Sequence, residues 1–484
     1  MLCCYLPVDL VDPLDALRWE STRYGHGVRL GLGHQPGPAF ASPEHGVLVI
    51  GPPRCGKTSS VIVPNLLSAC GPVVATSTKP DLLRTTSPAR SRVGECFLFD
   101  PSGRTPPPAG VQPIAWSPIH SAGEWDDALL MARTMVLAAR PGSDRGEAHH
   151  WTERAAALLG PAFHAAALEG MQMTTLIAMI DRHEGPNLRG ILSYHNTNMP
   201  LSTLEGVLHA DEREQSGIWS TASSVLAAYR SETALGSSSG QPMNLKNFLA
   251  SESTLYVCAG SDDQSHAAPI VVGMLSDVRR AGYAAAAAGE LGYASCRAPL
   301  LLLLDEVANI APIPDLPKVV SEGGSQGVVT VACLQDLSQA KERWGQMGEG
   351  FLTLFNTKLV FPGIGDTRTL EAVSLLAGEH EVRAVSVSDG SRLPGLPGLL
   401  GRHSPGRTTI STRKERRLPV DVIARGAPGY ALCLRGTVPS FVEARGWFES
   451  ELLRGAVEGV RPERTPPTRP SRSTARTSGR ARGL

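Results

Sequence analysis

Aromatic residues are scarce in this chain, where Phe, Trp and Tyr together make up 5% of 484 residues. That scarcity leaves no base-stacking groove to be traced from the sequence. Net charge is also lacking, with 46 basic side chains against 46 acidic ones, so any electrostatic bias toward a partner must be local. The nine cysteines form no CxxC pair, and neither a zinc pattern nor a helix-turn-helix pattern appears. Reduced, buried thiols in a cytoplasmic protein are the expectation. No window holds the ~18 uninterrupted apolar residues of a membrane-spanning helix, and Met1 to Pro13 lacks the basic start and apolar stretch of a signal peptide. The chain as written is therefore expected to be soluble, with Cys3 and Cys4 incidental rather than acylated.

What is present describes a globular, loop-rich molecule. Apolar residues make up 42% and charged residues 19%, alongside 50 Gly and 38 Pro. The length exceeds what a single growing core supports, so more than one structural unit is expected. Charge is uneven: Arg461 to Leu484 holds seven Arg and one Glu, a tail of +6 on a body of −6. This Pro-, Arg-, Ser- and Thr-rich tail cannot bury enough surface to fold alone.

Short apolar, β-branched runs alternate with helical patterns, which predicts an α/β fold with a mostly parallel sheet. Strands are expected at Gly46–Ile50, Val73–Thr76, Cys96–Phe99, Thr254–Cys258, Leu300–Leu304, Val328–Leu334, Lys358–Phe361 and Tyr430–Leu434. Between them the pattern changes to long Ala- and Leu-rich segments, Trp125–Ala139, Thr152–Leu168 and Ser216–Ala234, whose combined length favours an inserted all-α unit over simple crossovers. Ser386 to Arg407, rich in Gly, Pro and Ser, reads as a mobile surface excursion. A basic cluster of Arg413, Lys414, Arg416 and Arg417 follows it.

Chemistry enters at Gly51-Pro52-Pro53-Arg54-Cys55-Gly56-Lys57-Thr58, which fits GxxxxGK[ST] between an apolar strand and the helix-like Ser59–Leu67. Such a loop turns backbone N–H groups and a helix N-terminus toward a β-phosphate, with Lys57 reaching the β- and γ-phosphates and Thr58 on Mg²⁺. Ser59 completes the expected ATP-binding set. The run Leu300–Leu304 ends in Asp305-Glu306, where a parallel sheet exposes its ligand edge. Asp305 would hold Mg²⁺ through water, and Glu306 would orient and deprotonate the attacking water. At the tip of the next strand, Gln335 would either sense the γ-phosphate or cap the following helix. Arg368, in the first turn of a helix from Asp366 to Leu376, would complete a neighbouring subunit's site in a ring.

Several stretches in order resemble the conjugative coupling proteins of type IV secretion, the VirD4, TraG and TraD group. They are the phosphate loop with Val61-Ile62-Val63-Pro64-Asn65-Leu66-Leu67, then Ser77-Thr78-Lys79-Pro80-Asp81, then Phe99-Asp100-Pro101-Ser102-Gly103 with Trp116-Ser117-Pro118. Ser216-Gly217-Ile218-Trp219-Ser220-Thr221, the Asp305-Glu306 strand and Leu334-Gln335-Asp336 follow, so the resemblance spans roughly Gly46 to Gly436. Lys79 and Asp81 are expected at the carboxyl edge of the strand beside the phosphate-loop strand.

The resemblance implies a RecA-like P-loop ATPase domain with an inserted all-α domain. It would act as a homohexamer that moves single-stranded DNA and recruits a relaxase–DNA complex to the secretion channel. The expected organisation is an N-terminal segment (1–44), a split nucleotide-binding domain (45–121 and 241–460), the helical insertion (122–240) and a basic tail (461–484). Family members usually carry transmembrane helices ahead of the motor domain, whereas here 45 residues precede the first strand. The anchor would then lie on another polypeptide, be absent from a soluble form, or be encoded upstream, with the protein working at the inner face of the cell membrane. Two other readings are a nucleotide-switched docking adaptor for secretion substrates and a chromosome or viral-genome DNA motor.

Overall fold

The computed structural model describes residues 12–34, 37–141, 146–260, 264–293, 295, 297–388 and 407–459. Fourteen strands are present among them: β1 (Arg29–Leu32), β2 (Pro38–Phe40), β3 (Val47–Ile50), β4 (Val73–Ser77), β5 (Cys96–Phe99), β6 (Val111–Pro113), β7 (Thr254–Cys258), β8 (Leu300–Leu304), β9 (Val328–Leu334), β10 (Thr357–Val360), β11 (Glu379–Ser388), β12 (Arg407–Arg416), β13 (Tyr430–Arg435) and β14 (Val438–Glu443). Twelve of them form one sheet in the spatial order β2-β1-β14-β13-β10-β3-β9-β8-β4-β7-β5-β6. From β10 to β6 every pairing is parallel, and from β10 back to β2 every pairing is antiparallel. Both edge strands, β2 and β6, are three residues long, which leaves little unpaired backbone for a foreign strand.

The continuous apolar runs have a simple cause. In β3, Leu48 and Ile50 enter the core on one face while Val47 and Val49 enter a second core on the other. In β9, Val328, Ala332 and Leu334 alternate in the same way with Val329, Val331 and Cys333. A parallel strand covered on both sides has no polar position to spare, and each fully buried Val or Leu contributes about 1.5–3 kcal/mol.

All eight expected strands are present. One face of the sheet carries the helices Trp125–Ala139 and Gly146–Leu168, the shorter ones from Met173 to Leu249, and the long Gln264–Ala287. The other face carries the helices Pro13–Arg23, Asp81–Arg90 and Glu451–Glu458 together with the helix that follows the phosphate loop. This is the expected α/β class, a mostly parallel sheet with a helical insertion between β6 and β7.

Three details differ from the sequence reading. The segment Ser216–Ala234 is not one helix: Glu212–Leu226 passes into a 3₁₀ turn at Ala227–Arg230, and Ser231 starts a new helix by accepting from the Ala234 amide. The strand β4 is not beside the phosphate-loop strand, since β9 and β8 lie between. The basic cluster belongs to a two-stranded ribbon of β11 and β12, whose register sets Lys414 opposite Glu381 and Arg416 opposite Glu379. Polar residues on both faces of that ribbon hid it from an apolar-run criterion. Of the expected surface excursion, residues 389–406 lie outside the described residues, as does the basic tail.

A buried carboxylate ties the helical region to the sheet. Asp277, on the long helix Gln264–Ala287, accepts from Trp116 Nε1 at 2.8 Å and Ser121 Oγ at 2.6 Å, and pairs with Arg280 at 3.3 Å. Burial pushes its carboxyl above the ordinary range despite these donors. Arg280 in turn pairs with Asp127 on Trp125–Ala139. Asp277→Ala leaves the buried indole N–H without an acceptor and is expected to cost about 2–3 kcal/mol. Trp116→Phe, which keeps the other two partners, should cost nearer 1 kcal/mol beyond its small packing change. Denaturant midpoints of the two variants check the ranking.

Candidate nucleotide-binding site

The loop Gly51 to Thr58 leaves the carboxyl end of β3 and is shaped by its glycines. A Cβ on Gly51 would meet Phe361 Cβ at 2.7 Å and Cys55 Sγ at 2.6 Å, and Gly56 holds φ +101°. Arg54 also takes a left-handed conformation, φ 64°. Lys57 is buried and donates from Nζ to Gly51 O at 2.5 Å and Pro52 O at 3.0 Å. The loop is thus closed by its own lysine. The Lys57 amide bonds to the Cys55 thiol, while among the described residues no backbone carbonyl outside the helix takes the N–H groups of Gly56, Thr58 or Ser59, which leaves them available to a ligand in front of the loop. Burial pushes the Cys55 thiol up, which keeps it neutral and leaves it a packing role.

The helix behind the loop opens with a widened turn, Thr58–Ile62, in which Val63 N–H bonds to Thr58 O. Pro64 accounts for it, because a proline has no N–H to give and its ring crowds the carbonyl four residues back. Asn65 then leaves the helix sideways. Its side chain accepts from Arg29 N at 2.7 Å and donates to Arg29 O at 2.8 Å, which seats β1 against the phosphate-loop helix.

Opposite the loop stands the tip of β8. Asp305 is buried and accepts from Thr58 Oγ1 at 2.6 Å. Burial raises its carboxyl above the ordinary range, and neighbouring Glu306 adds to this, while the Thr58 bond and Lys57 pull the other way. Glu306 sits at φ 51°, ψ 48°, a conformation that costs a non-glycine residue on the order of 1 kcal/mol. Asn309 donates to its carboxylate at 3.4 Å.

A cavity of about 410 Å³ opens between these elements, within the range of small-molecule sites. Pro53, Arg54, Gly56, Lys57, Thr58 and Ser59 line it on one side and Asp305 and Glu306 on the other. Gln335 lines it too, and the cap of the following helix is Asp336, which accepts from Ser338 N and Gln339 N. Lys79 and Asp81 reach the same cavity although their strand is three places from β3. Arg368 does not line it; it is exposed on the first turn of Thr367–Ala377. Gly51, Pro52 and Cys55 belong to the loop but do not line the cavity.

Sequence reasoning missed Asn309, Gln339 and Trp447, all on the wall. Asn309 carried a signal, the i, i+3 spacing from Glu306 on a helix. Gln339 accepts from the Gln335 amide at 2.9 Å. Trp447 carried none.

The donor set fits a nucleoside triphosphate with Mg²⁺. Mg²⁺ takes oxygen ligands, usually one or two from protein with the rest from phosphate and water. Here a hydroxyl and a carboxylate already touch at 2.6 Å. Among the described residues no cluster of three or more His, Cys, Asp or Glu is arranged to hold a metal by itself, in keeping with a cation carried in on phosphates.

Fold and site together define a RecA-like P-loop protein. The family described as Type IV secretory system Conjugative DNA transfer matches residues 19–394, most of the chain, and the protein belongs to that family of conjugative coupling proteins. Two conjugal transfer proteins TraG of Escherichia coli are each 25% identical, over 389 and 388 residues, covering 75% and 74% of this chain. The chain spans 59% of the length of each. Among solved structures, the bacterial conjugative coupling protein TrwBdeltaN70 in unbound form superposes with a TM-score of 0.63 at 19% identity, covering 88% of this chain and 91% of that TrwBdeltaN70 chain. TrwB in complex with ADP and Mg²⁺ gives 0.61 at 20% identity, covering 85% and 87%. No helix among the described residues is long and apolar enough to cross a membrane.

Because the fold raises the Asp305 pKa, ionising this carboxyl opposes folding once pH passes the unfolded value near 4, and the penalty vanishes below it. Ligand-free Asp305→Asn is therefore expected to melt above the parent at pH 8 and to lose that margin as pH falls toward 4. Melting curves across this range decide the matter, and a margin indifferent to pH would sink the assignment.

Proposed function

We propose that the chain binds ATP with Mg²⁺ in this cavity, hydrolyses it, and uses the cycle to drive single-stranded DNA with a relaxase-type protein into a type IV secretion channel. The observation that carries the reading is the contact of Thr58 with Asp305 directly beside Glu306, in a chain of the conjugative DNA transfer family. Its fold neighbour TrwB has been solved with ADP and Mg²⁺ and with non-hydrolysable ATP and GTP analogues, which supports a nucleotide in the same place.

The residues divide the work. The amides of Gly56 to Ser59 and the Lys57 ammonium bind the β- and γ-phosphates. Thr58 and Asp305 hold Mg²⁺, which when bound neutralises charge between those phosphates. Glu306 orients the attacking water and takes its proton. Gln335 reports the γ-phosphate to its strand. Arg368, exposed and outside its own cavity, completes the site of the next copy in a homohexameric ring. In this reading residues 45–121 and 241–460 form the nucleotide unit, 122–240 a helical domain, 1–44 a leading segment and 461–484 a basic arm. The ring works at the inner face of the cell membrane, held there by a partner or an N-terminal anchor.

Lys57→Ala is expected to weaken ATP binding strongly. Glu306→Gln should bind ATP about as the parent does and lose hydrolysis by roughly 10²–10⁴-fold, along with DNA transfer. A docking adaptor would keep both recruitment and transfer in Glu306→Gln. Folded protein without ATPase activity, in the presence and absence of single-stranded DNA, refutes the motor.

DNA contact is expected from the ribbon, and its register selects the residues. Lys414 and Arg416 each face a carboxylate across the strand pair, whereas Arg413 lies opposite Val382 and Arg417 follows the last pair. Replacing Arg413 and Arg417 together by Ala should lower the slope of log affinity for single-stranded DNA against log salt by about 1.4, or about 0.7 per phosphate contact. The Lys414 and Arg416 pair should change it less. Titrations at several salt concentrations test the ranking.

A further inference from the structure

The phosphate loop, the metal ligands and the base account for the polar part of the cavity wall. The same wall also carries a few apolar side chains without a role so far. Val63 from the phosphate-loop helix and Leu82 from the helix Asp81–Arg90 are among them, both buried. Trp447 lines the cavity too, and among the described residues it is the only aromatic on the wall. It comes from a distant part of the chain, beyond the last strand of the sheet.

Trp447 is half-buried, on a turn held at several points. Its 3₁₀ turn, Trp447–Glu449, packs against the widened turn Thr58–Ile62 of the phosphate loop. The turn is closed by the Gly446 amide donating to the Glu449 carboxylate at 3.0 Å. Phe448 meets the indole edge-on, with centroids 5.8 Å apart. The helix Glu451–Glu458 then anchors the turn from behind. It begins with Ser450 accepting from the Leu453 amide and packs against both Pro13–Arg23 and Asp81–Arg90. A residue on so well anchored a turn has little backbone freedom left to lose on binding.

We propose that Trp447 is the base platform of the nucleotide site, its indole face stacking on the nucleobase while the triphosphate lies along Gly56 to Ser59. The inference rests on the nucleotide reading and assigns the part of the ligand that the sequence motifs leave unplaced. A triphosphate bound at the loop needs somewhere to put an apolar, flat ring, and the wall that holds the phosphates carries one aromatic side chain, with Val63 and Leu82 on the same wall. Stacking of a base on an aromatic side chain is worth roughly tenfold or more in affinity by alanine substitution. Any flat aromatic ring serves, because the contact uses the π-face and not a hydrogen-bonding edge.

The test uses calorimetric titration of the full chain with two probes in the presence of Mg²⁺, ATP and inorganic tripolyphosphate. Tripolyphosphate presents the phosphates without the base. Trp447→Ala is expected to weaken ATP by roughly tenfold and to leave tripolyphosphate unchanged, and Trp447→Phe should restore most of the ATP affinity. If Trp447→Ala binds ATP as tightly as the parent, or loses both probes by the same factor because the phosphate loop has moved, the platform is overturned. Lys57→Ala, measured alongside, separates the two levels. Loss of ATP in Lys57→Ala with none in Trp447→Ala removes the platform alone, whereas ATP binding indifferent to both variants removes the nucleotide reading and the platform with it.

Discussion

A single hydrogen bond, Thr58 Oγ1 to Asp305 Oδ2 at 2.6 Å, joins parts of the chain that the sheet keeps apart. Their strands β3 and β8 never touch, because β9 runs between them. The register brings Ile50 level with Leu334, and Leu304 level with Ala332. With the carboxyl ends so aligned, the two side chains can reach past the tip of β9 to each other. Removing a carboxylate from water is costly unless hydrogen bonds and a nearby cation compensate, and Asp305 draws these from Thr58 and Lys57. The same balance leaves room for a divalent cation, which would satisfy the carboxylate better than either.

Everything that holds this contact in place is apolar and large. One core runs without a break from Leu48 and Ile50 of the phosphate-loop strand through Phe99 and Trp116 to Met135, Phe163 and Trp219 in the helical region. The helical region therefore shares its interior with the sheet rather than leaning on it through a polar seam, and Asp277 adds a directional link at the join. At the opposite end of the strands, the fully buried Arg90 donates to Ala69 O, Glu252 O and Thr254 Oγ1. Carbonyls there play the part that carboxylates play elsewhere, and burial lowers the guanidinium pKa without stripping its charge-assisted bonds.

The parallel half of the sheet was legible in the sequence because strands buried on both faces must read as apolar runs, and Leu300–Leu304 or Val328–Leu334 can hardly be anything else. The phosphate loop and Asp305-Glu306 were legible because their chemistry demands particular residues at strand ends. The antiparallel edge was less so. Arg29–Leu32 and Pro38–Phe40 are too short and mixed to announce themselves, and the ribbon of β11 and β12 carries polar residues at alternate and intervening positions alike. The neighbour relation of β4 was misjudged because order along the chain does not fix order across a doubly wound sheet. Trp447 was out of reach for another reason, since nothing near it in sequence speaks of phosphate and only the packing of Glu451–Glu458 carries it to the cavity.

The pairing of Asn65 with both backbone groups of Arg29 has a consequence for how force enters the molecule. A pull or push applied ahead of β1 is delivered through two parallel hydrogen bonds to the middle of the helix whose first turn cradles the phosphates. β1 is also paired with β2 and β14, so the sheet takes a share of the same load. A load at the start of the chain and a change at the phosphate loop are in this sense two ends of one short lever, and its pivot is a buried amide.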